Sequence, residues 1–94
     1  MSSDKTTMYV EAIKRIMIAI KALPITPDEL ADDANIIEDI GLDSIELLTF
    51  MLEIEARLQI QIDFDGMELS TLYAISTLAA FLETMPATRS RSPS

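Results

Sequence analysis

The sequence has no cysteine and no histidine. Without cysteine there is no disulfide framework, no thiolate nucleophile and no zinc–sulfur centre; the composition fits a reducing, cytoplasmic setting. Without histidine, the commonest general base and the commonest metal ligand are both missing. Such a chain is expected to take part in chemistry without catalysing it, so no catalytic residue and no metal ligand is assigned. Apolar runs are short. Ile16 to Ile20, bracketed by Lys14-Arg15 and Lys21, cannot span a bilayer and lies too far inside for a signal peptide. Basic residues are scarce where acids crowd together. From Asp28 to Glu68 there are thirteen acidic residues and one basic residue, Arg57, whereas the remainder holds three acids and six bases, for a net −9 overall. A middle this acidic repels nucleic acid and anionic membrane, attracts partners with basic docking surfaces, and keeps a small protein in solution.

What is present is enough for one small globular domain. The 94 residues are 49% hydrophobic, too apolar for a disordered chain and too few for a wide catalytic cleft. There is no internal repeat and no strand pattern. Residues 1–6 read as frayed. A first amphipathic helix is expected over 7–23, with Tyr9, Ile13, Ile16, Ile20 and Leu23 on one face, ended by Pro24. A long connection to Asp43 follows. Thr26-Pro27-Asp28-Glu29 gives it a short helical turn, and Ile36, Ile37, Ile40 and Leu42 pin it to the helices. A short helix is expected over 66–73, with Leu69, Leu72 and Tyr73 inward. A last helix is expected over 77–85, capped by Ser76, with Leu78, Phe81, Leu82 and Met85 inward and Pro86 as its stop. Arg89 to Ser94 reads as a polar, disordered tail. The expected fold is therefore all-α: a small antiparallel four-helix bundle, three main helices plus one short one, with a long first loop. Its domain would span 7–85, between flexible termini at 1–6 and 86–94.

Two acidic clusters invite a metal and do not earn one. Asp32-Asp33 and Glu38-Asp39 lack the alternating ligands of a calcium loop. Around Asp63-Phe64-Asp65-Gly66, Gln61 and Leu72 stand where the first carboxylate and the closing glutamate should be.

The most informative stretch is Glu38-Asp39-Ile40-Gly41-Leu42-Asp43-Ser44-Ile45-Glu46-Leu47. Gly41 supplies a turn, and Asp43-Ser44-Ile45-Glu46 has the spacing of a capping box. A helix over 44–59 should follow, with Ser44 exposed at its first position. Backbone N–H groups without helical partners gather there, so an anion on that serine would meet donors. A serine in such a place is ordinarily part of the cap and nothing more. Along the helix, Leu47, Phe50, Met51, Ile54 and Leu58 form a core stripe. Ile45, Leu48 and Leu52 form a second stripe about a third of a turn away. That second stripe is either covered by the long loop, with Leu48 the first candidate for cover, or left exposed as a partner surface edged by Glu46, Glu53 and Glu55.

Gly41-Leu42-Asp43-Ser44-Ile45-Glu46 resembles the signature of acyl and peptidyl carrier proteins, usually Gly-x-Asp-Ser-Leu. The likeness extends from about Met8 to Leu82. It implies that Ser44 carries 4′-phosphopantetheine, flanked by Leu42 and Asp43. It further implies that Ile45, Glu46, Leu48, Leu52 and Glu55, with Asp43, meet partners. Those partners would be a phosphopantetheinyl transferase, an acyl- or aminoacyl-loading enzyme and a downstream synthase or transferase, with the carrier itself a monomer that binds neither nucleic acid nor membrane. Ile45 replaces the usual leucine. Thr49, Ala56 and Arg57 replace acids common in fatty-acid-synthesis carriers, and Asp63 replaces a common proline. The departures favour a stand-alone carrier in a specialised pathway (polyketide, nonribosomal peptide or aminoacyl transfer) over a housekeeping fatty-acid carrier. An unmodified helical adaptor is the alternative of another class. A small enzyme built on Glu38 and Asp39 would lack a cleft.

Overall fold

The computed structural model describes residues 3–87. Its architecture is the expected all-α bundle: α1 (Ser3–Lys21), α2 (Ser44–Leu58) and α3 (Ile75–Leu82), with a short 3₁₀ helix, Leu69–Tyr73, packed beside α3. Two further turns structure the long first connection, a 3₁₀ turn at Pro27–Glu29 and a π-helical turn at Ile36–Ile40. No strand forms among the described residues; a single antiparallel bridge joins Ile60 to Ala87. The Arg89–Ser94 tail lies outside the described residues.

α1 buries Tyr9, Ile13, Ile16 and Met17, the i, i+4, i+7, i+8 positions of one helical face. Ile20 and Leu23, expected on that face, are only half-buried. The helix begins at Ser3 rather than at residue 7. Thr6 donates its hydroxyl proton to Glu83 near the end of α3, which ties the first turns to the bundle. At the other end, Ala22 adopts a left-handed conformation, φ 52°, and the Leu23 N–H bonds to the Ile18 carbonyl at 3.0 Å. Those are the features of a Schellman stop, one residue ahead of Leu23 and Pro24.

The connection is held by its own side chains. Glu29 accepts the Thr26 N–H at 3.1 Å, and Asn35 accepts the N–H groups of Ile37 and Glu38 at 2.9 and 2.8 Å. Ile36 is fully buried and Leu42 nearly so, while Ile37 and Ile40 pack at the core margin. Lys14 pairs with Asp32, and the Asp32 carbonyl accepts the Ser76 N–H at 2.8 Å. This last bond explains why Ser76 is not the expected cap. Its N–H is drawn to the loop, and α3 runs over Ile75–Leu82 with Ala74 at the N-cap, starting two residues before and ending three residues before the expected 77–85.

Three helices meet on a core that holds Ile13 and Met17 of α1, Phe50 and Ile54 of α2, and Ile75, Leu78 and Leu82 of α3, all at 0% exposure. Each side chain buried in this way contributes roughly 1.5–3 kcal/mol of transfer free energy. Leu69 and Tyr73 face outward, against the sequence expectation, and only Leu72 of that segment is buried. A 3₁₀ turn has three residues per turn, so Tyr73 sits a third of a turn away from Leu72. Leu69, three residues before Leu72, shares its side of the helix but lies one turn further along, and only Leu72 reaches the core. Phe81 and Met85 are half-buried, whereas Ile75 and Ala79 complete the α3 core face.

Candidate functional site

Asp43 caps α2 as its sequence suggests. Its Oδ1 accepts the Glu46 N–H at 2.8 Å, and Glu46 Oε1 accepts the Asp43 N–H at 3.1 Å. Just upstream, Gly41 takes φ 78° and closes the π-helical turn, its N–H bonding to the Ile36 carbonyl at 3.2 Å. A glycine adopts that conformation without strain. The turn therefore delivers Ser44 to the first helical position, where it is exposed.

Of the first N–H groups of α2, those of Glu46 and Leu47 are taken by Asp43, through its carboxylate and its carbonyl. Those of Ser44 and Ile45 have no acceptor among the described residues. Two free donors at the positive end of a fifteen-residue helix suit a phosphate ester on the adjoining hydroxyl. The residues present thus fit a phosphate-linked group.

An apolar cleft of about 270 Å³ opens directly from Ser44, between α2 and the 64–72 segment. Leu47, Leu48 and Met51 form one wall; Phe64, Met67 and Leu72 form the other. Nothing in the pattern of the second helix announced the far wall, although an aromatic residue in the acidic turn Asp63–Gly66 was a signal. A larger hollow of about 450 Å³ lies by Glu55, Gln61 and Pro86, with no serine, threonine or lysine in its lining. It offers no group to modify.

The two stripes of α2 separate clearly. Phe50, Met51 and Ile54 are buried, and Leu47 and Leu58 lie at the margin of the core. Ile45, Leu48 and Leu52 are 76, 55 and 52% exposed. The long loop does not cover Leu48. The acids expected beside this strip also hold the fold together. Glu46 pairs with Lys21 at 3.0 Å as well as closing the cap, and Glu55 accepts the Ile62 N–H at 2.8 Å. Leu42, expected next to a prosthetic group, turns its side chain into the core at 7% exposure. Among the described residues no group of three acids converges on a metal position, and no helix is long and apolar enough to cross a membrane.

The chain is 29% identical over 51 residues to the acyl carrier protein of Sulfurovum sp. (strain NBC37-1), a match covering 54% of this chain and 68% of that protein. No solved structure matches it significantly. A family model described as "Phosphopantetheine attachment site" matches residues 16–83. That span takes in α2, α3, the whole first connection and both walls of the cleft, and so the protein belongs to the phosphopantetheine-attachment-site family of carriers, whose prosthetic group is 4′-phosphopantetheine.

Proposed function

We propose that this protein is a carrier whose Ser44 holds 4′-phosphopantetheine and that it presents an acyl or aminoacyl group to biosynthetic enzymes. The observation that carries the reading is the meeting of three features at one point: an exposed serine hydroxyl, two free N–H groups and the mouth of an apolar cleft. The bound group supplies a thiol on which cargo is held as a thioester. The chain contributes the attachment oxygen of Ser44, donors for the phosphate from the Ser44 and Ile45 backbone, and an apolar cleft to shelter the start of the arm or its cargo. Asp43 contributes by holding the helix start open to solvent.

The exposed strip of Ile45, Leu48 and Leu52 serves as the docking face for a phosphopantetheinyl transferase, a loading enzyme and a downstream synthase or transferase. Asp43, Glu46 and Glu55 lie at its edges with one carboxylate oxygen each engaged internally. Thr49, Ala56 and Arg57 are exposed on the same helix and give it a less acidic outline than a fatty-acid-synthesis carrier is expected to have. This favours a specialised pathway over a housekeeping role; the carrier is proposed to act in the cytoplasm, its domain taken as 7–85 with the first turn of α1 and the Ile60–Ala87 bridge packed on it.

Intact mass after incubation with coenzyme A and a broad-specificity transferase tests the attachment. The parent chain should gain one phosphopantetheine, and Ser44→Ala should fold normally and gain none. Modification that persists in Ser44→Ala would overturn the assignment. A parent chain that stays unmodified would point instead to the adaptor reading, which the same exposed strip supports. Repeating the assay with fatty-acyl and aminoacyl loading enzymes separates the housekeeping role from the specialised one.

A further inference from the structure

We propose that Lys21, the last residue of α1, is a positioning residue for the loading of Ser44; this rests on Ser44 being the attachment point. The Lys21 ammonium lies 3.0 Å from Glu46 Oε1 and donates to the Gly41 carbonyl at 3.4 Å. The same Glu46 oxygen accepts the Asp43 N–H. One ammonium therefore ties the residue at the turn, Gly41, to the carboxylate that closes the cap, and Ser44 sits between the two anchors. The tie comes from a different helix, twenty-five positions away in the chain from Glu46.

The geometry gives this contact more weight than an ordinary surface pair. The Lys21 and Glu46 side chains are only 25 and 30% exposed, and a pair so shielded is screened less than one in open solvent. Gly41 is the pivot of the turn, and with its carbonyl released only its N–H bond to the Ile36 carbonyl still restrains it. Fixing its carbonyl and the capping carboxylate together keeps the Ser44 and Ile45 N–H groups aimed at the phosphate position. The charge matters as well. The carboxylate of Glu46 stands in the first turn, where an anionic phosphate must be placed, and unpaired it would oppose that phosphate. The ammonium cancels it. The plain alternative is that Lys21 only complements the negative end of the α1 dipole, in which case its loss would lower stability and leave the α2 entrance unchanged.

Steady-state loading by the transferase separates the two roles. It is measured on the full chain at a temperature where circular dichroism shows every variant folded. Lys21→Met should lower kcat by about tenfold, because the reacting oxygen is no longer held in line, with the KM for the carrier within about twofold of the parent. Lys21→Arg, which keeps the charge and the donors, should recover most of that loss. Glu46→Gln combined with Lys21→Met should be no slower than the slower single variant, since both break one tie. Amide exchange supplies a readout that needs no transferase. In Lys21→Met the Glu46 N–H should exchange about tenfold faster while that of Ile54 in the core does not change. A parent-like kcat in Lys21→Met, no recovery in Lys21→Arg, or independent effects of the two substitutions would each overturn the inference. Faster Glu46 exchange together with a parent-like kcat would also overturn it, leaving Lys21 a structural residue only. A parent chain loaded elsewhere than Ser44 would remove the premise instead, and Ser44→Ala reports that separately.

Discussion

The two apolar faces of α2 use nearly the same side chains for opposite ends. One face carries Phe50, Met51 and Ile54, at 0 to 3% exposure, and the other carries Ile45, Leu48 and Leu52, all more than half exposed. The helix needs only the first to fold. The second leaves leucine and isoleucine in water beside Ser44, where polar residues would cost nothing in stability and improve solubility. Burial, and not hydrophobicity, distinguishes the residues that make this fold from those available to a partner.

The largest effect expected on this comparison is on the buried face. Phe50→Ala should cost about 3–5 kcal/mol and Ile54→Ala about 2–5 kcal/mol, because each leaves a cavity that its neighbours fill only partly. A domain this small has roughly 5–15 kcal/mol to lose, so chemical denaturation should show both variants far less stable or unfolded. On the exposed face, Ile45→Ala and Leu52→Ala should move the denaturation midpoint by no more than about 1 kcal/mol while slowing the modification of Ser44. Leu48→Ala should fall between the two faces, since Leu48 also lines the cleft. If Ile45→Ala or Leu52→Ala melts the protein as badly as Phe50→Ala, both faces are core and the docking strip is lost.

Salt should disturb stability least and still sharpen the contrast. Exposed ion pairs such as Arg15 with Glu11 contribute about 0–1 kcal/mol, so the denaturation midpoint should barely move. Association with the transferase should slow from low salt towards ~1 M, where the Debye length shrinks to about 3 Å, because thirteen acids lie between Asp28 and Glu68. Association rates that stay flat across that range would make the acidic surface a solubility device alone.

What was legible in the sequence was local. The Asp43–Glu46 cap, the turn at Gly41 and the two stripes of α2 all depend on contacts within a few residues, which spacing reveals. Pro24 and Pro86 overshot the ends they suggested: α1 stops at Lys21 on the left-handed Ala22 and α3 stops at Leu82. In the inward set at 66–73, winding at three residues per turn carries Tyr73 off the Leu72 face, whereas Leu69 stays on that face and is exposed because it lies a turn away from the core contact. The π-helical turn at Ile36–Ile40 was hidden among apolar residues that any loop packed on a core would need. The ties of Lys21 to Glu46, Asp32 to Ser76 and Glu55 to Ile62 join residues that the fold alone brings together, and no periodicity announces them. The candidate serine came from the cap and from family likeness. The far wall of its cleft came only from the structure.

The antiparallel bridge between Ile60 and Ala87 is reinforced by the Gln61 N–H on the Pro86 carbonyl at 2.9 Å, and it gives the molecule a polarity. Ile60 follows the last turn of α2, whereas Ser44 opens the first. Fifteen residues of helix put about 22 Å between those ends. A tether, a label or a neighbouring domain joined downstream of Ala87 would hold the bundle by its heel and leave the serine end turned outward. Chains anchored to a surface through that junction should be modified as readily as chains in solution.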